Sequence, residues 1–195
     1  MSRLYKAHIN EKTAAVQTIK EHSENTARLC AQFAVPPLGD LMCAMGMLHD
    51  IGKYQPSFQK RIDGASVQVE HSICGALEAK KQYPDALGLL MEYCIAGHHS
   101  GIPDGGAYND TPNQSTLCGR LKRETEDYSV YREELSLPCP DRQAFVQYLL
   151  KDCGQDQSLL IDKFAFLTRY CFSCLTDADL LDTAAFCGGN AAGKL

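Results

Sequence analysis

Five histidines and a group of aspartates carry the chemistry open to this chain. His22 stands in "EHSENTA", His49 beside Asp50 in "LHDIGK", His71 in "EHSICGA", and His98 with His99 in "AGHHSG". Late in the chain "LTDADLLD" supplies Asp177, Asp179 and Asp182. Imidazole and carboxylate together suit Mn, Fe, Co, Ni and Zn. A single helical histidine is more often a satisfied core or surface residue than a ligand, and an isolated His-Asp pair is a weak motif, so the argument rests on the combination. Asp50 closes an apolar run in which Leu41, Met42, Met45 and Leu48 recur at helical spacing, which predicts a buried face. A carboxylate beside such a face needs a hydrogen-bonded cation or a metal ion. Its two oxygens can bridge two ions. His98 and His99 precede Ser-Gly, where the chain can leave helical geometry and turn both rings the same way. His8 has no acidic or histidine neighbour in sequence and is expected to be idle in any activity.

Ligands so far apart in sequence converge only if stiff elements hold them, as in the core of a helical bundle. Apolar spacing predicts a helix over 9–34 with Asn10 as its N-cap. A second helix starts after Pro36-Pro37 and ends near Gly52, and "SFQKRI" is a short helix or turn. Helices over 70–82 and 84–99 divide at Tyr83-Pro84. The loop 100–113 is dense in Gly, Pro, Asn and Asp. A weaker helix over 114–128, an amphipathic one over 141–152 and a long one from Ser158 to Phe186 complete the chain. Period-two alternation is absent, which predicts an all-α bundle with the metal site in its core. One domain is expected over 1–186, with a Gly- and Ala-rich, linker-like tail over 187–195.

The chain has 195 residues, 45% hydrophobic and 22% charged, a globular balance long enough for a real core. No apolar run reaches the roughly 18 residues of a membrane span. The N-terminus lacks the hydrophobic centre of a signal peptide, so no membrane partner and a cytoplasmic location are expected. A net charge of −5 argues against broad nucleic-acid binding by this domain alone, but is compatible with catalysis on a strand that a partner presents. Ten cysteines are scattered on apolar stretches and read as small buried hydrophobes. "CFSC", Cys171 to Cys174, lacks the second pair that a zinc site wants, and is expected to pack in a helix.

The ordered set His, His-Asp, His, His-His, Asp resembles the signature of HD-domain metal-dependent phosphohydrolases. "LHDIGKYQPSFQ", then "EHSICGA", then "GHHSG" is similar to the HD nuclease domain of Cas3, the nuclease-helicase of type I CRISPR systems, closest to the type I-C branch. The resemblance spans residues 22–183. It implies two divalent transition-metal ions (Mn, Fe, Co or Ni): one held by His22, His49, Asp50 and Asp179, the other by His71, His98 and His99, with Asp50 bridging. It implies that Lys53, with Ser100 beside it, contacts the scissile phosphate. Asp177 and Asp179 point about 200° apart on a helix, and the family pattern fits Asp179; Asp182 is a supporting or a solvated residue. The implied activity is endonucleolytic cleavage of single-stranded DNA in CRISPR interference. The implied partners are a superfamily 2 helicase, whose Walker A pattern is absent here, and a type I surveillance complex. The chain is then a stand-alone subunit or a domain of something longer, and the near-terminal "GKL" favours the second. The alternative is an HD phosphohydrolase acting on a small or cyclic nucleotide, which would share the ligands.

Overall fold

The computed structural model describes residues 4–83 and 85–188. It opens on an antiparallel hairpin, β1 (Lys6–Ile9) against β2 (Val16–Thr18). Here the expected helix from residue 9 is corrected. Ala14 adopts a left-handed φ of 58°, which no right-handed helix can contain. Asn10 closes the hairpin turn: its Oδ1 accepts from the amides of Lys12 and Thr13 at 3.0 and 3.1 Å. The first helix, α1 (Ile19–Phe33), takes Thr18 as N-cap in a capping box with Glu21.

The other helices follow the predicted order. They are α2 (Gly39–Leu48), a 3₁₀ turn over Ile51–Tyr54, α3 (Pro56–Ile62), α4 (Ser72–Gln82) and α5 (Asp85–Gly97). Two single turns, α6 (Leu117–Arg120) and α7 (Tyr131–Glu134), precede α8 (Arg142–Leu150) and α9 (Gln157–Gly188). The helix expected over 114–128 shrinks to α6 because Lys122 turns back to the preceding loop, where its ammonium donates to the Tyr108 and Asp110 carbonyls. The long helix runs through residue 186, the expected domain end, and residues 189–195 of the tail lie outside the described residues.

α1 packs on α2, α4 on α5, and α9 crosses both α1 and α5. Gly46 permits the first contact, since a Cβ there would stand 2.5 Å from Ala27 Cα. Cys30, Cys74, Cys94, Cys171 and Cys174 are buried in the shared core. Burial pushes the Cys171 thiol up to about 12, so it stays protonated and packs as an apolar group. Gln59 of α3 fastens the hairpin to this frame. Its Oε1 accepts from the Lys6 amide at 3.0 Å, and its Nε2 donates to the carbonyls of Lys6 (3.0 Å) and Lys53 (2.8 Å). Among the described residues no helix is long and apolar enough to cross a membrane.

Candidate metal centre

Asp50 is the hub. It follows α2 and precedes the 3₁₀ turn, and it is fully buried. Its Oδ2 lies 3.2 Å from His22 Nε2 of α1 and 3.4 Å from His49 Nε2. Its Oδ1 lies 3.3 Å from His71 Nε2 and 3.5 Å from His98 Nε2. Asp179 of α9 completes the first group, with Oδ1 3.2 Å from His22 Nε2 and 3.8 Å from His49 Nε2. His99 completes the second, its Nε2 2.8 Å from His71 Nε2. The structure thus assembles two groups around one carboxylate, His22–His49–Asp50–Asp179 and Asp50–His71–His98–His99.

The spacing fits cations. Atoms bound at about 2.1 Å to one ion stand about 3.0 Å apart on an octahedral edge and about 3.4 Å on a tetrahedral one. Most of the distances above lie near that interval. Among the described residues neither Asp50 oxygen nor His98 Nε2 has a hydrogen-bond partner, although all three are buried. Lys53 Nζ is 2.7 Å from Asp50 Oδ2 but outside hydrogen-bond geometry. Orphaned buried acceptors facing converging ring nitrogens are what a site for positive charge requires.

The other face of each deep ring is fixed. His22 Nδ1 donates to Asp182 Oδ2 at 2.7 Å, His49 Nδ1 to the Gly46 carbonyl at 2.7 Å, and His98 Nδ1 to the Ile95 carbonyl at 2.7 Å. Each ring therefore turns its Nε2 to the centre. Gly52 brings the Asp50 turn against His71: a Cβ at Gly52 would stand 2.0 Å from the His71 carbonyl oxygen. That close approach accounts for the glycine of the His-Asp-x-Gly-Lys run.

The charges of the two groups differ. Burial pulls His22 down, but the carboxylates of Asp179, Asp182 and Asp50 around it outweigh that and raise the ring to about 10. Burial likewise lowers His49, yet the Asp50 charge and the Asp179 hydrogen bond lift it to about 9. In the second group burial wins. His98 falls below its ordinary value, and His99, with the charge of His98 added, drops to about 3. Burial pushes Asp50 up, but Lys53 and His49 hold it well below the usual carboxylate range.

The predicted ligands thus meet in space, and Asp177 is exposed on the outer face of α9. Asp182, left open by the sequence, supports His22. Ser100 is exposed, and its hydroxyl accepts from Arg120 Nη1 at 3.3 Å. The loop 100–113 does not wall the centre; its first residues line a neighbouring cavity with Arg120 and Arg123. The cavity at the centre, about 560 Å³, is lined instead by His8, Lys53, Phe58, Arg61, His71 and His99, among others.

Sequence reasoning missed two supports. Arg120, buried in α6, donates from Nε and Nη2 to Glu70 Oε1 at 3.1 and 2.6 Å, and from Nη2 to Ser72 Oγ at 3.1 Å. It thereby ties the residues flanking His71 to Ser100, which follows His99. His8, without neighbours in sequence, has them in space: its Nε2 is 3.2 Å from Lys53 Nζ, and its ring stands edge-on to His22. Local sequence holds no signal for either contact, since each forms by docking of remote segments. Asp182 did leave one, lying three residues from Asp179 on the same helix.

The profile of one family, described as HD domain, matches residues 19–130. That is more than half of the chain, so the chain belongs to the HD-domain family. Such domains are typically metal-dependent phosphohydrolases that bind divalent metals. Asp179 and Asp182 lie beyond the matched residues. No curated protein matches the chain.

Proposed function

From this family membership, we propose that the chain is a two-metal phosphodiesterase that cuts single-stranded DNA in the manner of the Cas3 HD nuclease. The carrying observation is that Asp50 turns one oxygen to each ligand group. His22, His49, Asp50 and Asp179 would hold one ion, and Asp50, His71, His98 and His99 the second. Two divalent ions held there supply charge stabilisation for a phosphoryl centre and a readily deprotonated water.

The chain's own residues do the rest. Lys53 binds a non-bridging phosphate oxygen with its ammonium and steadies the charge that grows there. Arg61, exposed at the same cavity and with no carboxylate of the described residues paired to it, takes a neighbouring phosphate. Asp182, Gly46 and Ile95 hold the Nδ1 protons of the three deep histidines, so that Nε2 stays free for ligation. Asp50 is fully buried beneath the cavity, which favours a flexible single strand over a stiff duplex as the substrate that brings a phosphate to it. With a net charge of −5, the chain depends on a helicase partner and a type I CRISPR complex to deliver that strand.

The test is metal content after loading with Mn, Co, Ni or Fe, followed by single-stranded DNA, duplex DNA, a deoxynucleoside triphosphate and a cyclic dinucleotide as substrates. About two ions per chain are expected, with chelator-sensitive cutting of the single strand and little of the duplex. Hydrolysis of the small nucleotides alone would establish the alternative reading. A chain that retains no ion would remove the metal centre altogether.

A further inference from the structure

The hairpin carries two side chains that reach opposite sides of the first ligand group. His8 and Gln17 are direct cross-strand partners, and the register is irregular between Lys6 and His8, which aims the ring inward. Lys53 Nζ is 3.2 Å from His8 Nε2. His8 Nδ1 is 2.9 Å from Gln17 Oε1. Gln17 Nε2 donates to Asp182 Oδ2 at 2.7 Å, and the same oxygen accepts from His22 Nδ1. Only one set of protons satisfies every link. An ammonium can only donate, so His8 Nε2 must be the acceptor. His8 then carries its proton on Nδ1 and donates to Gln17 Oε1, which leaves the Gln17 amide to donate to Asp182.

The ammonium has two neighbours, His8 Nε2 and Asp50 Oδ2. Asp50 Oδ2 is nearer, at 2.7 Å, but outside hydrogen-bond geometry, so the acceptor of the ammonium's hydrogen bond is His8 Nε2. We propose that His8 is a positioning residue: its Nε2 lone pair holds the Lys53 ammonium over the cavity, while Gln17 links the same strand pair to the carboxylate that orients His22. The inference rests on the reading of Lys53 as a phosphate contact. It deepens that reading by assigning the hairpin, which lies outside the matched family residues, a part in the reaction.

The experiment is a double-mutant cycle on the full chain with His8→Ala, His8→Gln, Lys53→Met and the pair His8→Ala/Lys53→Met. Its readouts are manganese content, melting temperature and hydrolysis of bis(p-nitrophenyl) phosphate. His8→Ala is expected to keep its manganese and to lose roughly tenfold in kcat/KM, the scale of one hydrogen bond to a charged group. Glutamine, which can present an acceptor to Lys53, should recover most of that loss. In the Lys53→Met background His8→Ala should cost nothing more, because it acts through Lys53. Equal losses in both backgrounds, or full activity of His8→Ala, would overturn the proposal. If the unmutated chain cleaves no phosphodiester, the functional reading fails, and the proposal is decided by nitrogen NMR of the metal-free protein. His8 must then show the Nδ1–H tautomer, with an Nε2 resonance that moves on Lys53→Met; an Nε2–H tautomer refutes it.

Discussion

The two ligand groups share Asp50, and each has one buried ring held by a helix carbonyl, His49 in the first and His98 in the second, but their other rings and their charges differ. His22 and His49 are wholly buried on or beside long helices, and their outer nitrogens are held by Asp182 and a helix carbonyl. His71 and His99 stand at helix ends, His99 is exposed, and Arg120 is the tie between their segments. In the first group carboxylates keep the rings charged; in the second, burial lowers His98, and partial desolvation with the neighbouring His98 lowers His99. One carboxylate therefore joins a deep group whose His22 and His49 carry protons that a cation would displace and an open group whose His98 and His99 do not. The open group, through His71 and His99, lines the cavity.

The largest test of this contrast removes what the pockets share. Asp50→Ala should retain well under half of the metal and abolish cleavage, whereas Asp179→Ala should retain about one ion, in the open pocket. Elemental analysis of the two variants decides it, and equal metal content would dissolve the distinction. Next in size is pH. His22 and His49, raised to about 10 and about 9, must lose protons when a cation binds, so affinity of the deep pocket should climb as pH rises from 6 to 8. The slope should reach up to about tenfold per pH unit for each proton displaced. The open pocket, isolated in Asp179→Ala, should change far less, because His98 and His99 are already neutral. Calorimetry in buffers of different ionisation heat reads the protons released; equal release from both pockets would contradict the charge pattern.

Smaller effects sharpen the boundary. Arg120→Ala frees the segments that carry His71 and His99, and should weaken the open pocket by roughly 10- to 100-fold, the usual cost of losing a ligand's support. The deep pocket should keep its ion, so a loss of both ions would mean that Arg120 supports the whole bundle. Cys171→Ala touches only the shared core. It should leave both ions bound and cost roughly 1 kcal/mol in a denaturant titration. Loss of metal there would make the C-x-x-C a ligand pair after all.

Much of the deep pocket was legible in sequence because its residues ride on helices whose apolar period fixes which side faces inward. Asp179 could be preferred to Asp177 by that geometry together with the family pattern, and Asp177 is indeed exposed. The hairpin was not legible. Strands of three and four residues are too short to show alternation, and Asn10 suits a turn as well as a helix cap. Nor could sequence place His8 beside Lys53, since that contact depends on Gln59 fastening β1 to the bundle. Arg120 was hidden for the same reason: its partner Glu70 lies 50 residues earlier and meets it only in the folded chain.

The reach of α9 sets an order of assembly. The bond from His22 to Asp182 spans 160 residues, and Asn10 reaches the Phe186 carbonyl across 176. His71 and His99 are only 28 apart. A growing chain therefore presents His71, His98 and His99 well before it has made the helix that carries Asp179 and Asp182. The open pocket can be built during synthesis, whereas the deep one is completed only when α9 closes back on α1 and the hairpin. A nascent chain on the ribosome thus lacks one of the two complete ligand groups, and the nuclease proposed here would be silent until its translation had passed the end of that helix.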